Sequence, residues 1–186
     1  MNAKQALAPT GKLRAGMNIG NNLFTRQNEA GGLYGVSVDL MQELARSLDV
    51  PLEMVVYDQP GQVADDVGND KWDVAILAIE QTRAKTILFS PPMTEIEAGY
   101  IVPQNSTFQV AADVDSNGIK IAAPAKAGYE LYLSNHLKNA SIVHSKNFAN
   151  SLEMFNQHEV DAVAGLKPNL IESMQLLPMG RLLNGN

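Results

Sequence analysis

Short apolar segments of strand length alternate with longer segments of helical periodicity along most of this chain. In the first half, we predict a helix that ends before Pro51 and strands at residues 13–19, 52–57 and 73–77. The run VAIL at residues 74–77 is apolar throughout, as expected for a central parallel strand that is buried on both faces. This alternation is typical of parallel α/β layers and predicts an α/β fold.

The same pattern begins again in the second half of the chain. There we predict helices at 129–137 and 149–157, and strands at 119–123, 141–144 and 160–164. The two halves share little sequence identity, so we interpret them as two lobes with a common architecture and not as a sequence repeat.

We therefore predict a division into two lobes and two connecting segments. The predicted parts are lobe 1 at 1–98, a hinge crossover at 99–104, lobe 2 at 105–164, and a return hinge with the start of the C-terminal segment of lobe 1 at 165–186. The sequence PQNST at 103–107 has the most loop-like composition between the lobes, which favours a boundary there.

The composition excludes several classes of function. The net charge of −6 and the lack of a basic run give no electrostatic footprint for nucleic acid. No apolar run approaches the roughly 20 residues that span a bilayer. The chain has no cysteine, and His136, His144 and His158 lack a zinc-binding spacing. We predict no nucleic-acid partner, no metal and no cofactor.

Three motifs carry a resemblance to a known family. They are KWDVAILAIEQTRAKTILFSPP at residues 71–92, GVSVDL at 35–40 and VDAVAG at 160–165. With these motifs, the chain resembles the solute-binding proteins of bacterial ABC transporters, family 3, the branch that binds polar amino acids. The resemblance spans nearly all of residues 11–175.

The resemblance implies a type II periplasmic-binding-protein fold, in which each lobe is a mostly parallel sheet flanked by helices and extended hinge segments join the lobes. It implies the extracytoplasmic binding component of an ABC importer. Such a component reversibly binds a small carboxylate-bearing polar solute, an amino acid or a related compound, in the cleft between the lobes and closes about the hinges. The expected partners are this solute and a membrane permease, and we expect a monomer.

The resemblance also implies a periplasmic protein or an extracytoplasmic lipoprotein. Residues 1–11 lack the apolar segment of a secretory signal, so we interpret Met1 as an expression start after a removed signal. Chains of the family return to the first lobe and complete it with further helices. We expect that part to be truncated here, because a first lobe without its closing helices would expose apolar sheet surface.

Arg83 is the first candidate for ligand binding. It stands six residues before Phe89, a spacing similar to the family's Thr-x-x-Arg…Phe-Ser motif, whose arginine binds the ligand carboxylate. A planar guanidinium offers paired donors to two carboxylate oxygens and keeps its charge. Backbone groups of Ala78, in a loop that is shorter than usual for the family, are expected to meet the ligand as well. The alternative is a surface arginine paired with Glu80 or another nearby acid.

A predicted helix N-terminus in the second lobe is the next candidate. Where the family has a Gly-Thr-Thr turn that binds the ligand carboxylate, this chain has Lys126, Ala127 and Gly128. The N–H groups and dipole of a helix N-terminus attract anions, and Lys126 would add a positive charge. The alternative is a solvated lysine and a glycine that serves turn geometry alone.

The usual partner of an α-amino group is missing. Family members that bind α-amino acids have an aspartate shortly after the Asp-Ala-Val strand, and the matching residue here is Leu166. Glu95 and Glu97 are the obvious substitutes, and Glu97 stands on the predicted crossover strand. If Glu97 is buried, it must meet a cation; the alternative is a solvent-facing acid. Whether the ligand carries an α-amino group is left open.

Three further residues are candidates. Asn22 and Phe24 follow the first strand, where relatives place an aromatic side chain that covers the ligand; Phe24 is alternatively a core residue. Asn147 precedes a helix that is expected to face the cleft, and alternatively it caps that helix. Trp72 is interpreted as a packing residue.

Two other functions use the same fold. Some relatives are dehydratases or related lyases, and Glu97 and Lys126 are the candidate acid and base for such an enzyme. We nevertheless predict no catalytic residue, because no nucleophile–base pair, phosphate loop or metal motif is visible. The other possibility is the ligand-sensing domain of a receptor.

Overall fold

A parallel sheet of three strands, in the order β4-β1-β5, forms the centre of the first part of the chain. The computed structural model describes residues 2–183, and its first part, up to Phe89, is a compact unit. The elements of this unit are α1 (Ala3–Leu7), β1 (Leu13–Asn18), β2 (Arg26–Gln27), β3 (Leu33–Tyr34), α2 (Val36–Leu48), β4 (Leu52–Tyr57), α3 (Pro60–Asp65), β5 (Val74–Ala75) and a 3-10 turn at Arg83–Lys85.

The side chains of β1 alternate between the two faces of this sheet, as the period of two along a strand requires. Ala15 and Met17 pack with Val38 and Met41 of α2 in one buried cluster. β1 pairs with β4 along its whole length, from Leu13 opposite Leu52 to Asn18 opposite Tyr57. Helix α2 thus closes one face of the sheet.

Trp72 packs on the other face. A Cβ atom at Gly16 would lie 3.3 Å from the Trp72 ring and 3.1 Å from Val63 Cγ1, so the missing side chain lets the indole and α3 approach β1. The indole N–H donates to the Val63 carbonyl at 3.0 Å. The interpretation of Trp72 as a packing residue is confirmed.

An ion pair holds β5 beside β1. The Asp73 carboxylate accepts hydrogen bonds from the backbone N–H (2.9 Å), Nε (3.1 Å) and Nη2 (2.7 Å) of Arg14, and the Asp73 N–H donates to the Arg14 carbonyl (2.8 Å). Both side chains are largely buried. Hydrogen bonds to Asp73, and to the exposed Asp70, raise the pKa of Arg14. Because β5 pairs with β1 through two residues only, this ion pair supplies much of its attachment.

The second unit, from Ser90 onward, is built on a mixed sheet of five strands in the order β10-β6-β9-β7-β8. β7 is parallel to β8 and β9, whereas β6 is antiparallel to β9 and β10. The elements are β6 (Ala98–Pro103), β7 (Lys120–Pro124), α4 (Gly128–His136), β8 (Ser141–Ser145), α5 (Phe148–Asn156), β9 (Ala162–Leu166), α6 (Lys167–Ser173), β10 (Gly180–Leu182) and 3-10 turns at Ala111–Val114 and Met174–Leu176.

Both faces of this sheet are covered. On β6, Tyr100 and Val102 belong to one buried cluster and Ile101 to another, and β7 and β9 alternate in the same way. The second cluster also contains Leu170 of α6 and Leu177, both fully buried. The strands are therefore apolar on both sides, as is usual for sheets covered by helices on both faces.

An aspartate before β9 repeats the backbone part of the contact between Asp73 and Arg14. Oδ2 of Asp161 accepts from the N–H of Lys120 at 2.8 Å, and the N–H of Asp161 donates to the Lys120 carbonyl at 2.9 Å. In each unit, an aspartate directly before the third parallel strand thus binds the backbone of the first.

The predicted α/β fold class is confirmed, and most of the predicted helices and strands lie within a few residues of the bounds in the structure. The strand predicted at 73–77 is an exception, because only Val74–Ala75 is paired. These two residues are half-buried, so the prediction of burial on both faces is wrong. Within residues 2–183, no helix is long and apolar enough to cross a membrane.

The division of the chain differs from the predicted boundaries. It falls between Phe89 and Ser90, and β6, which contains most of the predicted crossover at 99–104, is a full member of the second sheet. The segment 167–183, which we had assigned to the first lobe, packs in the second unit, because its apolar side chains are buried against that sheet. Residues 184–186 of that predicted segment lie outside the described residues. Bending about these segments stays a prediction.

We expect Asp73→Ala to lower the free energy of unfolding by about 3 kcal/mol, because it removes the main partner of the buried Arg14 charge. Asp70→Ala is the matched control, because Asp70 binds the same guanidinium from an exposed position and should contribute much less. Urea denaturation followed by circular dichroism measures both variants. Equal losses would contradict the assigned role of Asp73.

Candidate ligand-binding site

The loops that follow β1 and β5 leave the same edge of the first sheet. β1 lies between β4 and β5, so the chain passes from β1 to one side and later returns to the other. In open parallel α/β sheets, ligands bind outside the carboxyl ends of the strands at such a reversal of strand order. This edge is therefore the candidate site of the first unit. Asn22 and Phe24 lie on the loop that follows β1, and Ala78 and Arg83 lie on the segment that follows β5.

Arg83 is buried at this edge, with only 5 % of the residue exposed. Its Nη1 donates to the Ala78 carbonyl at 3.3 Å, so the structure brings these two predicted residues into contact. Burial lowers the pKa of Arg83, and the nearby carboxylates of Glu80 and Asp65 oppose this shift. Arg83 is therefore not a surface residue, but the nearby acids that the alternative named are present. A guanidinium that is shielded from water interacts strongly with an anion, because little solvent screens the charge.

Glu80 fixes the turn that carries Arg83. Its Oε2 accepts hydrogen bonds from the backbone N–H groups of Thr82 at 2.9 Å and Arg83 at 3.2 Å. Burial alone would raise the pKa of Glu80, but hydrogen bonds from Thr82 and Arg83 outweigh it, and the net direction is down. The ionised carboxylate therefore holds the start of the turn at neutral pH.

A pocket opens at the carboxyl end of β1. Its polar lining consists of Asn18, Asn21, Thr25 and Ser37, and Phe24 and Ile76 add apolar walls. Thr25 and Ser37 are buried, yet sequence reasoning missed both of them as candidates. Their positions could have identified them as candidates, because Thr25 directly follows the candidate Phe24 and Ser37 stands in the motif GVSVDL at the start of α2.

Phe24 lines this pocket, whereas Asn22 is exposed. The Phe24 carbonyl accepts from the Ser37 N–H at 3.1 Å, which attaches the loop to the start of α2. Gly35 permits this approach, because its φ is 114° and a Cβ there would lie 2.6 Å from the Phe24 oxygen. The Asn22 carbonyl accepts from Arg26 Nε at 2.9 Å, and a ligand role for the Asn22 side chain stays a prediction.

A buried carboxylate organises the loop before α4 in the second unit. Glu130, which is 3 % exposed, accepts from the Lys126 N–H at 2.8 Å and from Ser134 Oγ at 2.6 Å, and His144 Nε2 lies 3.1 Å away. The Ala127 N–H donates to the Pro124 carbonyl at 3.1 Å.

Two N–H groups that we expected to bind a ligand anion, those of Lys126 and Ala127, are thus engaged by protein oxygens. The reason is local: Glu130 reaches back to the N-terminus of its own helix, where the dipole favours a carboxylate. Contacts of the ligand with Gly128 and with the exposed Lys126 side chain stay predictions.

Glu97 is exposed and pairs with Lys167, whose Nζ donates to its Oε2 at 2.6 Å. The hydrogen bond and charge of Lys167 lower the pKa of Glu97. This agrees with the alternative of a solvent-facing acid and not with a buried carboxylate. The pairing follows from the sheet, because Leu166 lies opposite Ala98 and so places the next residue, Lys167, beside Glu97.

Asn147 caps helix α5. Its Oδ1 accepts from the Asn150 N–H at 2.8 Å, as an N-cap side chain does. The structure therefore supports the alternative interpretation of this residue. Within residues 2–183, no group of three or more His, Cys, Asp or Glu side chains is placed to hold a metal ion.

The bacterial extracellular solute-binding proteins, family 3, match this chain over residues 13–141. The chain belongs to this family. The matched range contains β1, α2 and β5, and therefore every element that surrounds Arg83 and the pocket.

Solved structures show the same fold. AncCDT-1, an ancestral amino-acid-binding protein, is described as a precursor of cyclohexadienyl dehydratase. It superposes on this chain with a TM-score of 0.80 and 21% sequence identity, and the match covers 98% of this chain and 81% of the AncCDT-1 chain. A mutant of arginine-bound ArgBP from T. maritima has a TM-score of 0.79 and 21% sequence identity, and the match covers 99% of this chain and 86% of the ArgBP chain. The type II periplasmic-binding-protein fold is confirmed.

Two further proteins extend the comparison. A lysine complex of an ABC-transporter binding component described as putative, from Wolinella succinogenes, has a TM-score of 0.78 and 20% identity, over 93% of this chain and 76% of that one. Cyclohexadienyl dehydratase from Pseudomonas aeruginosa is 28% identical over 143 residues, which is 74% of this chain. The match spans 53% of the length of the dehydratase.

We expect Asn147→Ala to lower the free energy of unfolding by about 1 kcal/mol through loss of the cap. Asn135→Ala, at an exposed position within α4, is the matched control and should change stability little. Thermal denaturation measures both. A loss of ligand affinity with no loss of stability would show that Asn147 contacts ligand and that the cap contributes nothing.

Proposed function

We propose that this chain reversibly binds a small, polar, carboxylate-bearing solute and that it serves as the extracytoplasmic binding component of an ABC importer. Membership of the solute-binding family supports the binding role. Hinge closure of the two lobes on the solute and delivery to a membrane permease, which the resemblance implies, belong to the proposal, as do a monomeric state and a periplasmic or lipoprotein location.

One observation carries the carboxylate assignment: a guanidinium that is 95 % buried stands at the carboxyl edge of a parallel sheet. Glu80 and Asp65 supply nearby negative charge, and a ligand carboxylate at this edge would add charge-assisted hydrogen bonds to the same guanidinium. Nη1 of Arg83 contacts the Ala78 carbonyl, which orients the guanidinium on the loop that follows β5. A carboxylate fits the planar donor pair of the guanidinium.

The ligand is an amino acid or a related carboxylate. Several proteins with this fold are described with arginine, glutamine or lysine bound. Leu166 provides no carboxylate for an α-amino group at the position where relatives that bind α-amino acids have an aspartate, and Glu97 is paired with Lys167. We propose that an α-amino group, if the ligand has one, is bound by uncharged oxygen atoms.

We predict that Arg83→Ala weakens binding of the carboxylate ligand by at least about a hundredfold, because charge-assisted hydrogen bonds are worth about 1.5–3 kcal/mol and this one lies in a buried site. Lys85→Ala is the matched control, since Lys85 stands in the same turn and is exposed. Isothermal titration calorimetry measures affinity, and thermal denaturation checks that both variants fold.

The ligand itself is found with a thermal-shift panel of amino acids, small carboxylates, polyamines and sugars. A ligand at a hundred times its Kd stabilises the fold by about 2.7 kcal/mol. A rise in melting temperature with carboxylates that is lost in Arg83→Ala supports the proposal. A rise with sugars or polyamines alone, or unchanged carboxylate binding in Arg83→Ala, contradicts it.

The second candidate function is a dehydratase or related lyase. The relative that favours it is the cyclohexadienyl dehydratase, with 28% identity over 143 residues. The expected acid, Glu97, is exposed and has a lowered pKa because of Lys167, which makes it a poor proton donor near neutral pH. We therefore rank binding above catalysis. Chromatographic detection of product from a cyclohexadienyl substrate, with buffer as the control, would reverse this order.

A further inference from the structure

The pocket at the carboxyl end of β1 has the features of a subsite for a second group of the ligand. It lies in the first unit, and Ile76, which directly follows β5, forms part of its wall. Ala78, which contacts Arg83, is two residues further along the chain. Two residues span at most about 7 Å, so the pocket wall lies within the length of a small ligand from the residue that contacts the guanidinium.

Two buried hydroxyl groups face this pocket without protein partners. Thr25 is 2 % exposed and Ser37 is 4 % exposed, and both line the pocket. Among residues 2–183, no hydrogen bond joins Oγ1 of Thr25 or Oγ of Ser37 to another protein group. Neither oxygen is among the fully enclosed polar atoms that lack a partner, so both are open to the pocket, where a ligand can bind them.

The backbone holds both hydroxyl groups in place. The Thr25 N–H donates to the Asn21 carbonyl at 3.1 Å, and the Ser37 N–H donates to the Phe24 carbonyl at 3.1 Å. These bonds fix the backbone of both residues, which limits where the two hydroxyl groups lie before any ligand arrives. Pre-organisation of this kind lowers the entropy cost of binding.

Two side-chain amides add donors to the same pocket. Oδ1 of Asn18 accepts from the Gly20 N–H at 3.0 Å, and Oδ1 of Asn21 accepts from the Leu23 N–H at 3.3 Å. These bonds identify the other atom of each amide as the NH₂ group. Within the described chain, neither NH₂ group donates to a protein acceptor. The pocket therefore presents hydrogen-bond donors to a ligand.

The electrostatics of the pocket disfavour a cation. No residue that lines it, within residues 2–183, is ionisable. Ser37 stands in the first turn of α2, a helix of thirteen residues, where the partial positive charge of the helix N-terminus lies. A guanidinium or ammonium group placed here would meet donors and a positive potential, with no carboxylate to balance its charge.

We propose that this pocket selects an uncharged hydrogen-bonding group of the ligand, such as a carboxamide, and rejects a cationic one. A carbonyl oxygen accepts from the asparagine amides, and an amide NH₂ donates to the hydroxyl oxygens of Thr25 and Ser37. This chain is then specific for neutral polar solutes, unlike the relatives described with arginine or lysine bound. The inference rests on the proposed binding function, because it names the ligand class of that same site.

Isothermal titration calorimetry with glutamine, lysine and arginine tests this specificity, because the three share an α-carboxylate and differ at the distal group. We expect glutamine to bind at least about tenfold more tightly than lysine or arginine, since an unpaired positive charge in this site costs more than a hydrogen bond gains. Equal or tighter binding of lysine or arginine would overturn the proposal.

Variants locate the selectivity in the pocket. Thr25→Val keeps the shape of the side chain, and Ser37→Ala removes only the hydroxyl oxygen; each should weaken glutamine binding by about threefold to tenfold. Ser47→Ala, at an exposed position near the other end of α2, is the matched control and should change nothing. Unchanged glutamine binding in both pocket variants would show that the hydroxyl groups do not contact the ligand.

A gain-of-function variant gives an independent test. Ser37→Asp places a carboxylate in the pocket at a helix position that favours a negative charge, and we expect it to shift the preference toward lysine and arginine. No shift in a folded variant would overturn the proposal. If Arg83→Ala abolishes binding but the pocket variants leave the selectivity unchanged, the proposed function is supported and this inference alone is overturned. No binding of any carboxylate to the unchanged protein would overturn both.

Discussion

The contact between Asp73 and Arg14 determines where the candidate site forms. β5 has only two paired residues, so its place beside β1 depends on this buried ion pair and on the backbone hydrogen bonds that accompany it. The residues that directly follow β5, including Ile76 in the pocket wall and the turn that carries Arg83, take their position from there. The second unit uses the same backbone contact without the ion pair, through Asp161.

The fold was accessible from the sequence because its main signal is local. Alternating apolar patterns and turn residues placed most strands and helices, since periodicity reports which face of an element is buried. The division into units was less accessible. The assignment of β6 and of the segment 167–183 to the second sheet depends on pairing between distant strands and on the burial of Leu170 and Leu177. No local pattern contains that information.

The candidate site could be predicted only in part. Arg83 and Ala78 were found because motif spacing and the chemistry of a guanidinium point to them, and the structure places them in contact. Glu97 and Asn147 were assigned to the ligand by position along the chain. The sequence also offered a helix cap for Asn147, which the structure supports, whereas Lys167 could be identified as the partner of Glu97 only once the chain was folded. Thr25 was missed because an unpartnered hydroxyl is recognised by its burial, which a sequence does not state.

The central claim is that Arg83 receives the carboxylate of a small solute. A crystal structure of the protein with the tightest carboxylate ligand from the thermal-shift panel tests this most directly. The account predicts both carboxylate oxygens at about 2.7–2.9 Å from the guanidinium nitrogens of Arg83, the usual range for such charge-assisted hydrogen bonds. A ligand carboxylate bound elsewhere, with Arg83 contacting protein groups alone, would contradict the account.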